Sequence, residues 1–359
     1  MDNAGNGEHG MPVDPVGFAR RHAVARRIGR DWRLLTGGGE ARDADRPTLV
    51  ACSGGVDSSA LAIGLAGVKP RVVLGHVVHD LRDRENALGD RDSVCALGER
   101  LGLRVLEREA PVRARGGNLE GEARRGRYEA LRGMAAEAGC RFVVTAHHAD
   151  DQLETVLMRL LRGSGPRGLG GIMATRALGD ADGGISVARP MLGMAREEAV
   201  RLCEDFGWAW REDASNRDIS FFRNALRAEV LPVLKRLRPD AAERVSGTAE
   251  VCRLAADAIE RRARLKLNRA TLDVADSAHR VRLDRAVLAA APLAVRCETL
   301  RMVLRDFGGS GMDRAGWNVL RPAAGAIGDG RNEPRTFRVG SIVVSVRAHE
   351  IRISEVADE

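Results

Sequence analysis

From residue 46 onward, short β-branched and aliphatic runs alternate with longer stretches whose apolar positions recur at helical spacing. The run at 48–52 predicts a strand that leads through a glycine turn into an apolar helix over 57–66. The run at 71–78 predicts a second strand, followed by a helix over 85–101. A third strand over 103–107 precedes a basic helix over 119–138, and a fourth over 141–146 runs into a helix over 150–162. Repeated strand–helix units of this kind build a parallel sheet covered on both faces. Ligands of such sheets sit at the carboxyl ends of the strands, where two polar clusters fall here, after the first and fourth strands.

The stretch 163–171 holds too many glycines for a helix interior and is expected as a loop. Beyond it the pattern predicts a helix over 196–206, a polar turn at 213–216 and a helix over 221–237 that kinks or breaks at Pro232. Past Pro239 the character changes to Arg-studded helices over 241–268 and 284–307, closed by β-rich runs at 336–347 and 349–354. The expected fold class is α/β. A parallel-sheet, Rossmann-like domain occupies 21–240, a smaller helical-plus-β domain occupies 241–359, and a Gly-rich N-terminal tail over 1–20 is flexible.

Composition narrows the function. A chain of 359 residues, 44% of them hydrophobic, is long enough for roughly two domains and excludes disordered and fibrous classes. The net charge of +7 points toward a polyanion. Only Lys69, Lys235 and Lys266 are lysines, however, and so strong an arginine skew also arises from a GC-rich coding bias, so charge alone leaves RNA binding open. The six cysteines lie far apart without a C-x-x-C, so no zinc knuckle, iron–sulfur site or redox pair is expected. No N-terminal apolar core reads as a signal peptide, and no apolar run approaches the roughly 18 residues of a membrane span. The expectation is a cytoplasmic protein with no membrane partner.

Candidate chemistry starts at Ser53-Gly54-Gly55-Val56-Asp57-Ser58-Ser59, between strand and helix. Two glycines permit a tight turn with exposed amides, the helix start adds unpaired N–H groups, and two hydroxyls complete a phosphate cradle. A Walker loop would carry Lys before Ser or Thr; here an Asp stands inside the loop instead. The alternative is an ordinary Gly-Asp turn. The string from Ala146 to Thr155, with His147, His148, Asp150, Asp151 and Glu154, admits three readings: a metallohydrolase cluster, aspartates beside nucleotide-bound Mg²⁺ or a substrate amine, or N-caps of the following helix. His76 and His79 fit core or capping roles as well as metal ligation. Arg124, Arg125 and Arg127 suit a phosphate-facing surface or a solvated helix face, and the polar run from Asp213 through Asn216, Arg223, Asn224 and Arg227 suits a site or turn chemistry.

The S-G-G-x-D-S string resembles the PP-loop of the ATP pyrophosphatases. Further strings follow in order: H-V-x-H-x-L-R, E-x-x-A-R-x-x-R-Y, A-H-H-A-D-D-Q-x-E-T, R-P-x-L, D-x-S-N and F-x-R-N-x-L-R. The series resembles the tRNA(Ile)-lysidine synthase family over residues 48–238, with weaker similarity beyond. Departures are Asp80 and Val78 in the second string, of which Asp80 puts the local loop shape in question; Phe221 and Phe222 stand where an aromatic residue is common.

The resemblance implies an adenine nucleotide alpha hydrolase-like fold and a ligase. The ligase would join free L-lysine to C2 of the wobble cytidine of an isoleucine tRNA with a CAU anticodon, through an adenylated intermediate. It implies ATP at Ser53, Gly54, Gly55, Val56, Asp57 and Ser58, Mg²⁺ at Asp57 and Asp151, and catalytic roles for Asp57, Asp150, Asp151 and Arg223. Substrate and tRNA contacts fall to His147, Glu154, Arg124, Arg127, Arg189, Asp213, Asn216, Asn224 and Arg227, and 241–359 is implied to bind tRNA. A homodimer is compatible with this set. The other readings are a tRNA-thiolating PP-loop enzyme, which keeps Cys52 and Cys140 in play, a small-molecule PP-loop ligase, and an RNA-binding protein without catalysis.

Overall fold

The computed structural model describes residues 14–38, 42–68, 72–79, 84–110, 119–179, 184–211, 222–275, 280–306 and 316–355. By their packing these residues form two compact units, the first comprising 1–155 and 172–246, the second 156–171 and 247–359.

The first unit opens with α1 (Pro15–Arg21) and α2 (Ala23–Leu35). Residues 15–20, expected within the flexible tail, are thus helical: Asp14 accepts a hydrogen bond from the Val16 amide, Pro15 supplies a fixed φ at the first turn, and Ala19 is buried. Along α2, Val24, Ala25, Ile28, Gly29 and Trp32 form one buried stripe at helical spacing. Trp32 is fully buried and donates its indole N–H to Thr48 Oγ1 at 3.2 Å, tying that stripe to β1 (Thr48–Ala51).

There follow α3 (Val56–Leu65), β2 (Val72–His79), α4 (Arg84–Leu101), β3 (Arg104–Ala110), α5 (Leu119–Glu137), β4 (Phe142–Val144) and α6 (Ala149–Leu161). The expected 163–171 loop, which belongs to the second unit, contains one short helix, α7 (Pro166–Leu169), begun by a proline at its first position. Two three-residue strands absent from the sequence reading, β5 (Thr175–Ala177) and β6 (Ser186–Ala188), precede α8 (Arg196–Asp205). The expected single helix over 221–237 is α9 (Phe222–Ala225), a wide π-helical turn over 226–230, and α10 (Leu231–Leu237); the break stands just before Pro232, which has no amide hydrogen to continue the ladder.

The sheet runs β3-β2-β1-β4-β6-β5, parallel except for the edge strand β5. The neighbours of β1 bury both of its faces: Val50 packs with α2, α3 and α8, while Leu49 packs with α5. Chain order reverses between β1 and β4, so a crevice opens beyond their carboxyl ends. Pairing of Thr48 with Phe142 and Val50 with Val144 puts the residues after both strands level with each other.

After α11 (Ala241–Ala270), the second unit carries an antiparallel sheet. Its strands are β7 (Thr271–Ala275), β8 (Arg280–Asp284), β9 (Arg335–Val339), β10 (Ile342–Val346) and β11 (Glu350–Glu355), in the order β7-β8-β11-β10-β9. The expected helix over 284–307 is two, α12 (Arg285–Ala289) and α13 (Leu293–Asp306), parted at Pro292; the β-rich run expected over 336–347 is a hairpin turning at Gly340, whose φ of 63° suits glycine. Ile342, Val344 and Val346 alternate inward onto α13 and onto α14 (Trp317–Ile327). Among the described residues no helix is long and apolar enough to cross a membrane.

Candidate active site

The crevice at the β1/β4 switch point is built from the loop after each strand. After β1, Gly54 adopts a φ of 85°, a conformation side chains disfavour, and a Cβ there would stand 3.3 Å from the Asp90 carbonyl oxygen. Ser58 folds back over the turn: its Oγ accepts from the Ser53 amide at 3.1 Å, lies 3.2 Å from Ser53 Oγ, and donates to the Gly55 carbonyl at 3.0 Å. From behind, the Arg211 amide donates to the Gly54 carbonyl at 3.1 Å while its guanidinium pairs with Asp90 at 3.1 Å. His76, buried within β2, donates Nδ1–H to the Cys52 carbonyl at 3.0 Å, a core role of the kind its sequence position allowed. Because Gly55 caps α3 without a side chain, the first-turn amides of that helix keep their capacity for an anion.

Asp57 stands in that first turn. Its Oδ2 lies 3.6 Å from His148 Nε2, and its Oδ1 is 3.9 Å from Arg196 Nε yet accepts no hydrogen bond among the described residues. On the β4 side, Asp151 Oδ2 accepts from the His148 amide at 3.0 Å, the reciprocal half of a capping box, and lies 3.5 Å from His148 Nε2. His148 is therefore flanked by two carboxylates. Burial works to lower its pKa, but Asp57, Asp151 and Asp150 outweigh it and hold the pKa above the ordinary histidine value. Burial also works to raise Asp151, and His148, Arg223 and the hydrogen bond from the His148 amide reverse it, keeping that carboxyl below the usual range. His147 differs: burial, with Arg189, Arg124 and Arg223 nearby, overcomes Asp151 and pushes it down to about 3, so it is neutral, and its Nδ1 lies 2.9 Å from Thr145 Oγ1.

Helical geometry separates the two adjacent aspartates. Asp151 and Glu154, three apart, share a face and bind the same two arginines. Arg223 reaches Glu154 at 2.8 Å and Asp151 at 3.1 Å; Arg227 reaches Glu154 at 2.7 Å and Asp151 at 3.4 Å. Glu154 is fully buried, so this pairing is what makes its charge tolerable. Asp150 points elsewhere. Lys235 of α10 binds it at 2.7 Å and Glu197 at 3.0 Å, beside a cavity of about 480 Å³ also lined by Asp240 and Glu243, and Asp150 Oδ1 has no partner among the described residues.

The structure thus gathers Ser53 to Ser58, His147, Asp151, Glu154, Arg223 and Arg227 at one crevice, and sets Asp150 against Lys235 on its flank. Arg124 and Arg189 lie beside His147, and Arg127 is exposed on α5. Asn224 is the neighbour of Arg223 on α9, while Asp213 and Asn216 lie outside the described residues. The sequence reading missed Lys235, Arg196, Arg211 and Arg176. For Lys235 a signal existed, since a lysine is rare in this arginine-biased chain.

Among the described residues no three His, Cys, Asp or Glu side chains form a metal site. A magnesium ion carried on phosphates needs only one or two carboxylates. The place between Asp57 and Asp151 fits that need: two carboxylates converge there on the His148 imidazole, and Asp57 Oδ1 accepts no hydrogen bond among the described residues.

A glycine turn between a central strand and an uncapped helix, facing an acidic–basic network across the switch point, defines a PP-loop fold, and a family model described as a PP-loop domain matches residues 33–234. The tRNA(Ile)-lysidine synthase of Methylobacterium sp. (strain 4-46) is 40% identical over 274 residues, covering 74% of this chain and 68% of that one. That of Geobacter sulfurreducens is 39% identical over 222 residues, 59% of this chain, and the alignment spans 45% of its length. A solved U34-tRNA thiolase from Methanococcus maripaludis shares the fold, with a TM-score of 0.51 at 14% identity over 66% of this chain and 80% of that one. The chain belongs to the tRNA(Ile)-lysidine synthase family. It spans less than half the length of some curated relatives.

Proposed function

We propose that the protein ligates free L-lysine to C2 of the wobble cytidine in isoleucine tRNA bearing a CAU anticodon, using ATP. The observation that carries this reading is the placement of the Ser53–Ser58 loop level with Asp151, Glu154, Arg223 and Arg227 across β1 and β4. A carbonyl oxygen on a pyrimidine leaves poorly, so it must first be activated. The loop amides and the α3 N-terminus would hold the β and γ phosphates of ATP while the C2 oxygen attacks the α phosphorus, forming an adenylated cytidine and releasing pyrophosphate. The lysine amine then attacks C2 and AMP departs with the bonding electrons.

Asp57 and Asp151 would hold Mg²⁺, which when bound neutralises phosphate charge at the scissile bond. Arg223 and Arg227, pinned by Glu154, keep their guanidiniums in place beside developing negative charge without reorganisation. Asp151, low in pKa, stays ionised to orient an ammonium and steer its departing proton. Neutral His147 can accept a hydrogen bond without repelling that amine.

The thiolation alternative lacks geometric support. Register puts Cys52 past the carboxyl end of β1 and Cys140 before β4, roughly 20 Å apart at ordinary strand rise. Both thiols are pushed up by burial.

The deciding experiment measures pyrophosphate release by the full chain with and without a CAU transcript and lysine. Release that requires the transcript, with radiolabelled lysine appearing in RNA, is expected. Release independent of RNA, or without lysine transfer, would overturn the reading.

A further inference from the structure

Beside His147 the first unit collects positive charge that no carboxylate among the described residues pairs with directly. Tyr128, buried on α5, has two guanidiniums over its ring, Arg176 at 4.4 Å and Arg124 at 5.3 Å from the centroid. A third, Arg189, reaches the phenol oxygen with Nη2 at 3.2 Å and the Met173 carbonyl with Nη1 at 2.6 Å. Arg189 is 2% exposed, and its Nε has no hydrogen-bond partner among the described residues. None of the three arginines has a salt bridge among the described residues, unlike Arg223 and Arg227 on the same side of the crevice. Burial, and then Arg176 and Arg124, pull the Arg189 pKa below its ordinary value in spite of Tyr128. A buried cation crowded by two others is costly unless an anion joins it.

The ligand's chemistry follows from what the cluster offers. With two guanidiniums over it, the Tyr128 ring has little π surface left on which to stack a base, so the cluster presents N–H donors and charge. Arg124 is exposed and Arg176 half-buried, which opens the site to solvent and to an extended strand. We infer that Arg124, Arg176 and Arg189, arranged around Tyr128, form a subsite for a backbone phosphodiester of the RNA strand entering the crevice. Guanidiniums match phosphate oxygens in geometry, and such contacts position a strand without reading its sequence. The inference rests on the RNA-ligase reading and adds Arg176, which that reading left without a role.

The test is the affinity of the full-length protein for a CAU transcript from 0.05 to 0.3 M salt, with KM for lysine measured in parallel. Arg176→Gln should weaken binding on the order of fivefold at the lowest salt and reduce the log–log salt slope by about 0.7. Arg176→Lys should restore the slope, and Arg124→Gln, at an exposed position that folding tolerates, should act as Arg176→Gln does. An unchanged slope with a raised lysine KM would assign the cluster to an amino-acid carboxylate and overturn the inference. An unchanged slope and unchanged KM would overturn it too, with the ligase reading intact. A wild-type protein that binds no RNA would overturn both.

Discussion

Asp57 sits where the phosphates of a nucleotide would meet the first turn of α3, with one oxygen accepting no hydrogen bond among the described residues. Asp57→Asn keeps the shape and removes the charge, so transcript-dependent pyrophosphate release should fall on the order of 10²-fold or more, as when a preorganised transition-state interaction is removed. An unaltered melting temperature beside that loss would separate chemistry from folding, and full activity would count against the loop as the nucleotide site. His148 makes a second prediction, on pH. Its pKa is raised in the folded protein, so its contribution to stability is full below about 6.5, the unfolded value, and disappears as pH rises through the folded value. The gap in urea midpoint between wild type and His148→Gln should narrow as pH rises from 5.5 to 9. A gap independent of pH would mean that the charge between Asp57 and Asp151 contributes nothing. His147, held neutral, acts with the opposite sign, losing stability as pH falls from about 6.5 towards about 3, so the difference between variants is the informative quantity. At this scale the sequence already displayed most of the site, because the glycine turn and the H-H-A-D-D string are local features. What it hid was pairing: that Asp150 faces Lys235 while Asp151 faces Arg223 follows from helix geometry and from a segment some seventy to eighty-five residues downstream.

At the scale of elements, Glu154 fastens α6 to the α9–α10 segment through both arginines. Glu154→Ala would leave two guanidiniums beside Asp151 alone. Because Arg223 and Arg227 are about a third or more exposed, the loss expected in urea unfolding is about 2 kcal/mol, below the figure for a wholly buried pair. Glu154→Gln, which keeps one acceptor oxygen, should lose less, and equal losses for the two would show packing rather than charge at work. Elements with a long apolar or helically spaced stretch were legible from sequence, as α3, α4 and α5 were. Those that escaped had physical reasons. β5 and β6, at three residues each, are too short to show a period of two, and depend on pairing with β4 and each other. The run over 284–307 kept helical composition across Pro292, where the backbone nonetheless breaks. α14 carries Pro322 inside it, a residue that argues against a helix until packing on α13 and β10 outweighs it.

For the whole molecule, the division of labour between the units remains the largest consequence of the RNA-ligase reading. On that reading the site would see one cytidine and one lysine, while a methionine tRNA with the same CAU anticodon would present the same base to it. Discrimination must therefore come from interactions away from the anticodon. Basic surface is available for this on α11, where Arg261, Arg262 and Arg269 are exposed and form no salt bridge among the described residues. Stem and backbone interactions of this kind position an RNA rather than read it base by base. Substituting all three with glutamine should leave the Ser53–Ser58 loop unaltered, weaken transcript binding, and reduce the salt slope by roughly 0.7 to 0.9 for each phosphate no longer neutralised. Lysine incorporation into isoleucine and methionine CAU transcripts should then converge, because the interaction that separates them has been weakened while the chemistry has not. If the triple variant keeps wild-type discrimination and wild-type salt dependence, this face of α11 does not touch the RNA.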